Sequence, residues 1–194
     1  MRKAEETRNT KETEVCVQIN LDGNGAYSID TGIKFFDHML EQFSCHSGFD
    51  LKVKAKSLDG NSHHCVEDVG ITLGRAFLSA LGDKKGIKRY GEKTVPLDEA
   101  LVMSVVDISG RAFSKTSLEL KSERTEDFET VLVPHFFFSF AQNADITLHI
   151  RMLDGFDTHH IIESAFKSFA RALKEAAEIS DKEKMSIPST KGVL

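Results

Sequence analysis

The chain repeats itself, and the repeat restricts its fold more than any other feature. At an offset of 96 residues, His63-His64-x-x-Glu67 meets His159-His160-x-x-Glu163, Arg75-Ala76 meets Arg171-Ala172 and Ala80 meets Ala176. At an offset of 97, His38 meets His135, Phe43 meets Phe140 and Leu51 meets Leu148. The loops absorb the slip, where Asp59-Gly60 faces Asp154-Gly155. Chance matches a dipeptide readily, but rarely three histidines, a glutamate and the apolar pattern around them. Self-similarity of this kind marks a duplicated structural unit. We expect two copies of strand–strand–helix–strand–helix in an α+β architecture with pseudo-twofold symmetry. Residues 1–94 form one half and 95–194 the other, within one compact duplicated domain.

Hydrophobic spacing supplies the elements. Residues 14–20 alternate Val15, Val17 and Ile19, Asp22-Gly23-Asn24-Gly25 turns, and residues 26–30 return, which predicts a hairpin. Helical spacing predicts helices over 34–44, 63–81, 127–142 and 158–179. Strands are expected at 50–56, near 100–107 and 111–118, and at 145–152, with a Gly- and Lys-rich linker over 82–91. Val66, Leu73, Phe77, Ile162, Phe166, Phe169 and Leu173 are expected to share one core, and the Phe136-Phe137-Phe138 run to join it. The last fifteen residues, polar and containing Pro188 and Gly192, read as a tail.

With 194 residues the chain can bury a core without disulfide or metal staples. Its net charge of −5 argues against a partner bound through bulk nucleic-acid electrostatics. No apolar run approaches the roughly 20 residues of a membrane span. The start carries acidic groups and no apolar stretch, so neither a secretion signal nor a transit peptide is expected. Cys16, Cys45 and Cys65 are odd in number and unpatterned, which suits a reducing compartment. The sequence reads as cytoplasmic, with no nucleic-acid or membrane partner.

Eight histidines are the compositional oddity, and six of them lie in the repeat. Glu67 follows His63 by four residues and His64 by three, so on a helix the three side chains fall on one side near one end. Adjacent helical residues splay by about 100°, so His63 and His64 suit two ions better than one. His38, His63, His64, His135, His159, His160, Glu67 and Glu163 divide into three imidazoles and one carboxylate for each of two ions. Four protein donors leave positions open on an octahedral ion, as a catalytic site requires. An all-nitrogen-and-oxygen set favours Mn, Fe, Co or Zn. Cys65, inside the motif, is read as a packing residue. Arg89 and Arg111 each follow a glycine-containing turn, and with Lys191 they are candidates to grip an anion. No Walker loop, GxGxxG or GxSxG elbow is present.

Five motifs occur in order: Phe-Phe-Asp-His-Met-Leu-Glu-Gln (35–42), His-His-Cys-Val-Glu-Asp (63–68), Asp-Ile-Ser-Gly-Arg (107–111), His-His-Ile-Ile-Glu (159–163) and Ser-Thr-Lys-Gly (189–192). Together they resemble the imidazoleglycerol-phosphate dehydratase family, over nearly the whole chain. The resemblance implies tandem α+β halves with helices packed between two mixed β-sheets. It further implies trimers assembled into a 24-subunit shell, with sites at subunit contacts and two Mn(II) ions per site. Carried over by residue, it makes His38, His63, His64, Glu67, His135, His159, His160 and Glu163 the ligands. It assigns Arg89, Arg111, Ser189 and Lys191 to the substrate phosphate, and Glu12, Gln42 and His46 to other substrate contacts. Glu12, Glu67 and Glu163 are the catalytic candidates. Two departures concern loop geometry: Asp-Gly-Asn-Ser stands before His63 where a more acidic approach is expected, and Ala112 stands where the family usually has proline.

The implied reaction dehydrates D-erythro-imidazoleglycerol phosphate to imidazole acetol phosphate in histidine biosynthesis, by a monofunctional lyase with no fused phosphatase. The hydrogen removed is not α to a carbonyl. Two ions holding the ring as imidazolate would let it expel the hydroxyl and become a diazafulvene-like intermediate, whose formation acidifies the neighbouring C–H. A metal-bound hydroxyl and Glu12 would handle the protons, while Arg89, Arg111 and Lys191 position the phosphate. The same donors suit two other readings. One is a dinuclear metallohydrolase, told apart by release of free phosphate. The other is a non-catalytic metal-binding shell protein, told apart by indifference to substrate.

Overall fold

A computed structural model describes residues 1–180 and 186–194. The first half runs β1 (Lys3–Asn9), β2 (Thr13–Asn20), β3 (Tyr27–Asp30), α1 (Lys34–Ser47), β4 (Asp50–Ser57) and α2 (Ser62–Leu81). Alternation makes its sheet: Val15, Val17 and Ile19 of β2 and Leu51, Val53 and Ala55 of β4 point inward, and the polar residues between them point out. β2 lies antiparallel between β1 and β4, and β3 joins the far side of β4 in parallel, giving the order β1-β2-β4-β3.

The expected hairpin of residues 14–20 with 26–30 is therefore wrong, because β4 lies between the two strands. The Asp-Gly-Asn-Gly segment is bound to Asp50, whose carboxylate accepts from the backbone N–H of Asn24 (2.9 Å) and Ala26 (3.1 Å) and from the Asn20 amide (2.8 Å). A Cβ on Gly23 would sit 2.4 Å from the Asp50 carboxyl carbon. The segment wraps around a residue of the third strand and carries the chain past it, so it cannot make a two-residue turn.

The second half runs β5 (Tyr90–Leu97), β6 (Ala100–Asp107), β7 (Phe113–Ser117), a short β8 (Arg124–Thr125) and β9 (Phe128–Glu129) ribbon, α3 (Leu132–Asn143), β10 (Thr147–Asp154) and α4 (Thr158–Ala177). Its sheet has the order β5-β6-β10-β7, with the same two antiparallel pairs and one parallel pair as the first. Each four-stranded sheet has one strand more than the expected strand–strand–helix–strand–helix supplies, in both halves the first, and the second half adds the short β8–β9 ribbon. β1 is an edge strand of polar residues, and β5 carries Gly91 and Pro96, both poor strand signals. Gly91 is required, since a Cβ there would meet the Ala172 carbonyl oxygen of α4 at 2.0 Å. β5 runs through the expected 94/95 division and pairs with β6 along its length.

The helices fill the space between the sheets. α1 and α2 lie on the first sheet and α3 and α4 on the second, with α2 packed on α3 and α1 on α4. The expected core residues are all buried in one cluster. The α2 and α4 sets join through α1 and α3, where Phe77 contacts Phe140 (ring centroids 5.8 Å apart) and Phe169 contacts both Phe43 (5.6 Å) and Phe140 (5.2 Å). Phe136 and Phe137 are buried, but Phe138 is 50% exposed. The third ring of the run lines an open cleft with Thr116 and Pro134.

α3 starts at Leu132 rather than at 127, because Asp127 has another task. Ile33 gives α1 no side-chain cap. The Asp127 carboxylate, from the opposite half, accepts the N–H of Lys34 (2.8 Å) and Phe35 (3.0 Å) in its place. Asp127→Ala is expected to lower unfolding stability by about 1 kcal/mol, measured as a lower urea midpoint at unchanged slope. Asp68 of the His-His-x-x-Glu-Asp motif is likewise structural: buried on α2, it accepts from Arg8 (2.6 Å) of β1 and Thr13 (2.5 Å) of β2. The C-terminal residues do not fray where they are described. Gly86 N–H donates to the Ser186 carbonyl (3.0 Å), and the chain end approaches Gly110, while 181–185 of the expected tail lie outside the described residues. No helix among the described residues is long and apolar enough to cross a membrane.

Candidate metal centre

Each His-His pair sits in the first turn of a capped helix. Asn61 caps α2 by accepting from His63 N–H (2.9 Å), and Asp157 caps α4 by accepting from His160 N–H (3.1 Å). The i,i+4 spacing then puts His63 with Glu67 and His159 with Glu163. Packing of α1 on α4 brings His38 to the second pair, and packing of α3 on α2 brings His135 to the first.

Two matched trios result, each drawing on both halves of the chain. In one, Glu163 Oε2 lies 3.2 Å from His38 Nε2 and 3.1 Å from His159 Nε2. In the other, Glu67 Oε2 lies 3.6 Å from His135 Nε2 and 3.9 Å from His63 Nε2, with the two rings 4.3 Å apart. The donor atoms of each trio all lie within 4.8 Å of one another. Metal–donor bonds of about 2.0–2.2 Å bring neighbouring donors to about 3 Å, the spacing in the first trio. His135 Nε2 is buried without a hydrogen-bond partner, an arrangement proteins avoid unless something else satisfies the atom. The donor set and this orphaned nitrogen both fit a divalent cation.

The trios differ in their support. The Glu163 side chain is 11% exposed and that of Glu67 38%. Lys167, one turn after Glu163, donates to its Oε1 at 2.6 Å. Burial alone would raise the Glu163 carboxyl, but the Lys167 and His159 hydrogen bonds outweigh it and hold the group below the usual carboxylate range. Beside His63 and His135 a cleft of about 400 Å³ opens, lined by Ser114, Thr116, Pro134 and the half-exposed Phe138.

His64 and His160 do not join their own helices' trios. The expected single-sided arrangement of each His-His-x-x-Glu motif is thus corrected: the first histidine faces the glutamate and the second turns away. His64 Nδ1 lies 2.6 Å from Asp59 Oδ2 and 3.7 Å from Glu12 Oε2. His160 Nδ1 lies 2.7 Å from Glu99 Oε2. The Asp59 hydrogen bond raises the His64 pKa, and the Glu99 hydrogen bond raises that of His160. Glu99 is pushed down to about 2 by the His160 ring and the Asp157 N–H. Sequence reading missed both Asp59 and Glu99. A signal for Glu99 existed, since it immediately precedes β6 as Glu12 precedes β2, but unequal loops hide that match from the 96- and 97-residue registers.

The remaining candidates fall in two places. Gln42 and His46 follow His38 along α1, half-buried. Burial, with Lys167 and Arg171 nearby, lowers the His46 pKa. The phosphate candidates gather at the opposite end of α4. Arg89 N–H donates to the Ala176 carbonyl (2.9 Å), and its guanidinium meets both Asp107 oxygens (2.7 and 3.2 Å) and the Pro188 carbonyl (3.0 Å). Arg111 is exposed beside Gly110, which the chain end approaches, and Lys191 N–H donates to Ser189 Oγ at 3.2 Å. Glu163 and Ala176 are 13 residues apart on α4, about 20 Å at 1.5 Å per residue. Within one chain, Arg89 therefore cannot share a small ligand with the trio at the start of α4.

The fold and site together define an α+β protein with two sheets of matching topology and a pair of matched His/Glu clusters at its helix starts. The sequence profile of imidazoleglycerol-phosphate dehydratase matches residues 31–173. The chain belongs to the imidazoleglycerol-phosphate dehydratase family. It is 56% identical to the imidazoleglycerol-phosphate dehydratase of a Thermoanaerobacter species, over 100% of both chains. It is 50% identical to that of Prochlorococcus marinus, over 100% of this chain and 97% of the relative. Among solved structures it resembles the Pyrococcus furiosus enzyme, with TM-score 0.83 and 36% identity over 97% of this chain and 99% of that one. It also resembles the Staphylococcus aureus enzyme, with TM-score 0.81 and 38% identity over 90% and 97%.

Proposed function

We propose that this chain is a hydro-lyase that dehydrates imidazoleglycerol phosphate in histidine biosynthesis, using two Mn(II) ions per active site. The observation that carries this reading is the pair of matched two-histidine, one-glutamate trios, one of them with a buried, unsatisfied imidazole nitrogen. His38, His159 and Glu163 would hold one ion and His63, Glu67 and His135 the other, with His64 and His160 as the further donors. Bound there, the ions would supply Lewis acidity to the substrate's imidazole ring.

The chain's own residues supply the rest. Arg89, Arg111, Ser189 and Lys191 would grip the phosphate and so fix where the ring lands. Gln42 and His46 would line the approach along α1. Glu12, whose carboxylate is 54% exposed in the turn before β2, would move protons as water leaves the two neighbouring carbons. The Asp107 contact presents Arg89 in one orientation, as a fixed guanidinium fork suits a phosphate.

The site we propose is shared between subunits. Two observations support this: His64 and His160 turn away from their own trios, and the phosphate candidates lie at the far end of α4 from His159. Trimers assembled into a 24-subunit shell, the arrangement implied by the family resemblance, would supply such contacts. Sedimentation of the purified protein tests that assembly.

The deciding experiment incubates metal-stripped protein with imidazoleglycerol phosphate, with and without Mn(II), and follows imidazole acetol phosphate. Product only with metal is the expected result. Release of free phosphate in place of the ketone would overturn the reading in favour of a metallohydrolase.

A further inference from the structure

We propose that Asp59 and Glu99 are positioning residues that hold His64 and His160 with Nε2 turned outward as metal donors, and that Asp59 thereby leaves Glu12 free to work on substrate. The inference rests on the two-ion reading above.

A neutral imidazole carries its proton on one nitrogen and a lone pair on the other, and only the lone pair can take a metal. An ionised carboxylate can only accept, so a ring nitrogen 2.6 or 2.7 Å from one must be the N–H. Asp59 and Glu99 thus commit both Nδ1 atoms as donors and leave both lone pairs on Nε2. The same contacts fix the ring planes, the role that carboxylates behind ligating histidines play in metal sites generally. His160 Nε2 has Asp98 Oδ2 at 4.0 Å, too far for a hydrogen bond.

The two carboxylates reach this geometry from different loops. Glu99 stands before β6, where its Oε1 accepts the N–H of Phe156 (3.3 Å) and Asp157 (2.8 Å) while Oε2 takes His160. Asp59 stands in the loop before α2, where its Oδ1 accepts from Asn61 N–H (2.9 Å) and Ser57 Oγ (3.0 Å) while Oδ2 takes His64. Both spend one oxygen on the approach to a helix and the other on the second histidine of a pair. Glu12 occupies in the first half the position that Glu99 occupies in the second, yet its carboxylate stays 3.7 Å from the His64 ring. The Asp-Gly-Asn-Ser loop thus supplies a clamp that relieves Glu12 of the duty Glu99 performs. Two pseudo-equivalent glutamates are left with different jobs.

The test titrates Mn(II) into the full-length, metal-stripped protein and follows free Mn(II) by electron paramagnetic resonance. The wild type, Glu99→Ala, Glu99→Gln, Asp59→Ala, Asp59→Asn and Glu12→Gln are compared. Two ions per chain are expected in the wild type. Glu99→Ala and Asp59→Ala should each weaken one of them by about 10- to 100-fold, and the isosteric amides by less. Glu12→Gln should leave both affinities unchanged. If an alanine variant melts early without metal, the amide at that position carries the test, because it keeps the size and can still accept from the ring. Wild-type affinity in the Glu99 and Asp59 variants would overturn the proposal while leaving the two-ion reading intact. An equal loss in Glu12→Gln would overturn the division of labour. A wild type that binds no Mn(II) would bring down the two-ion reading itself, and this inference with it.

Discussion

Replacing Glu12 with Gln is expected to leave two metal ions bound per chain and to lower kcat by a factor on the order of 10² to 10⁴, the usual contribution of a positioned general acid or base. The separation follows from the geometry. The Glu12 carboxylate belongs to neither two-histidine trio and groups instead with Asp59 and His64, where the His64 Nδ1 is held by Asp59 at 2.6 Å and Glu12 stands back at 3.7 Å. Removing its charge leaves both trios and the Asp59 hydrogen bond to His64 in place. The measurement pairs metal content with steady-state kinetics across pH, where the variant should also lose one limb of the rate profile. Turnover close to wild type would move the proton transfer elsewhere, with Glu67 and Glu163 as the remaining carboxylates.

Mixing two inactive variants is expected to restore activity. His38→Ala removes one proposed donor from the trio on α4, and Arg89→Ala removes the proposed phosphate contact at the other end of the same helix. The two positions are remote in one chain, since Arg89 bonds the backbone at Ala176 while His38 meets Glu163, 13 residues away along α4. If a site takes its trio from one subunit and its arginine from another, random co-assembly leaves both parts intact at about a quarter of the sites. Each variant alone should show almost no turnover, and the pair unfolded and refolded together should regain up to that fraction. Mixtures as inactive as their components, in oligomers shown to have exchanged subunits, would take Arg89 out of the site and overturn the shared-site reading.

Several features are legible without coordinates because they are periodic or local. The 3.6-residue spacing of apolar side chains locates α1, α2 and α4 closely, and the two-residue alternation locates β2, β4 and β6. The repeat singles out the six side chains of the two trios, because the same residue types at the same offset seldom coincide by chance. Where local signals are weak or ambiguous, the sequence misleads. The first strand of each half escapes notice because edge strands need little apolar alternation. A glycine-rich turn reads as a hairpin because nothing in its own residues shows that Asp50, from a later strand, occupies its centre. Asp127 looks like the start of the helix that follows it, yet it caps one 93 residues earlier.

Sequence by itself determined which residue types meet at the two centres, since i,i+4 spacing and helix caps are short-range and survive in any packing. Only the tertiary structure decided what the second histidine of each pair meets when it turns away from its glutamate. It also decided that each trio takes one member from the opposite half, that Asp59 and Glu99 stand behind the outward histidines, and that Arg89 lies a helix length from the trio on α4. Apart from Asp59 and His64, five residues apart, these are contacts between segments far apart in the chain. Their geometry is set by how helices pack between sheets and by which loop delivers a carboxylate, and neither leaves a periodic trace in the residues themselves.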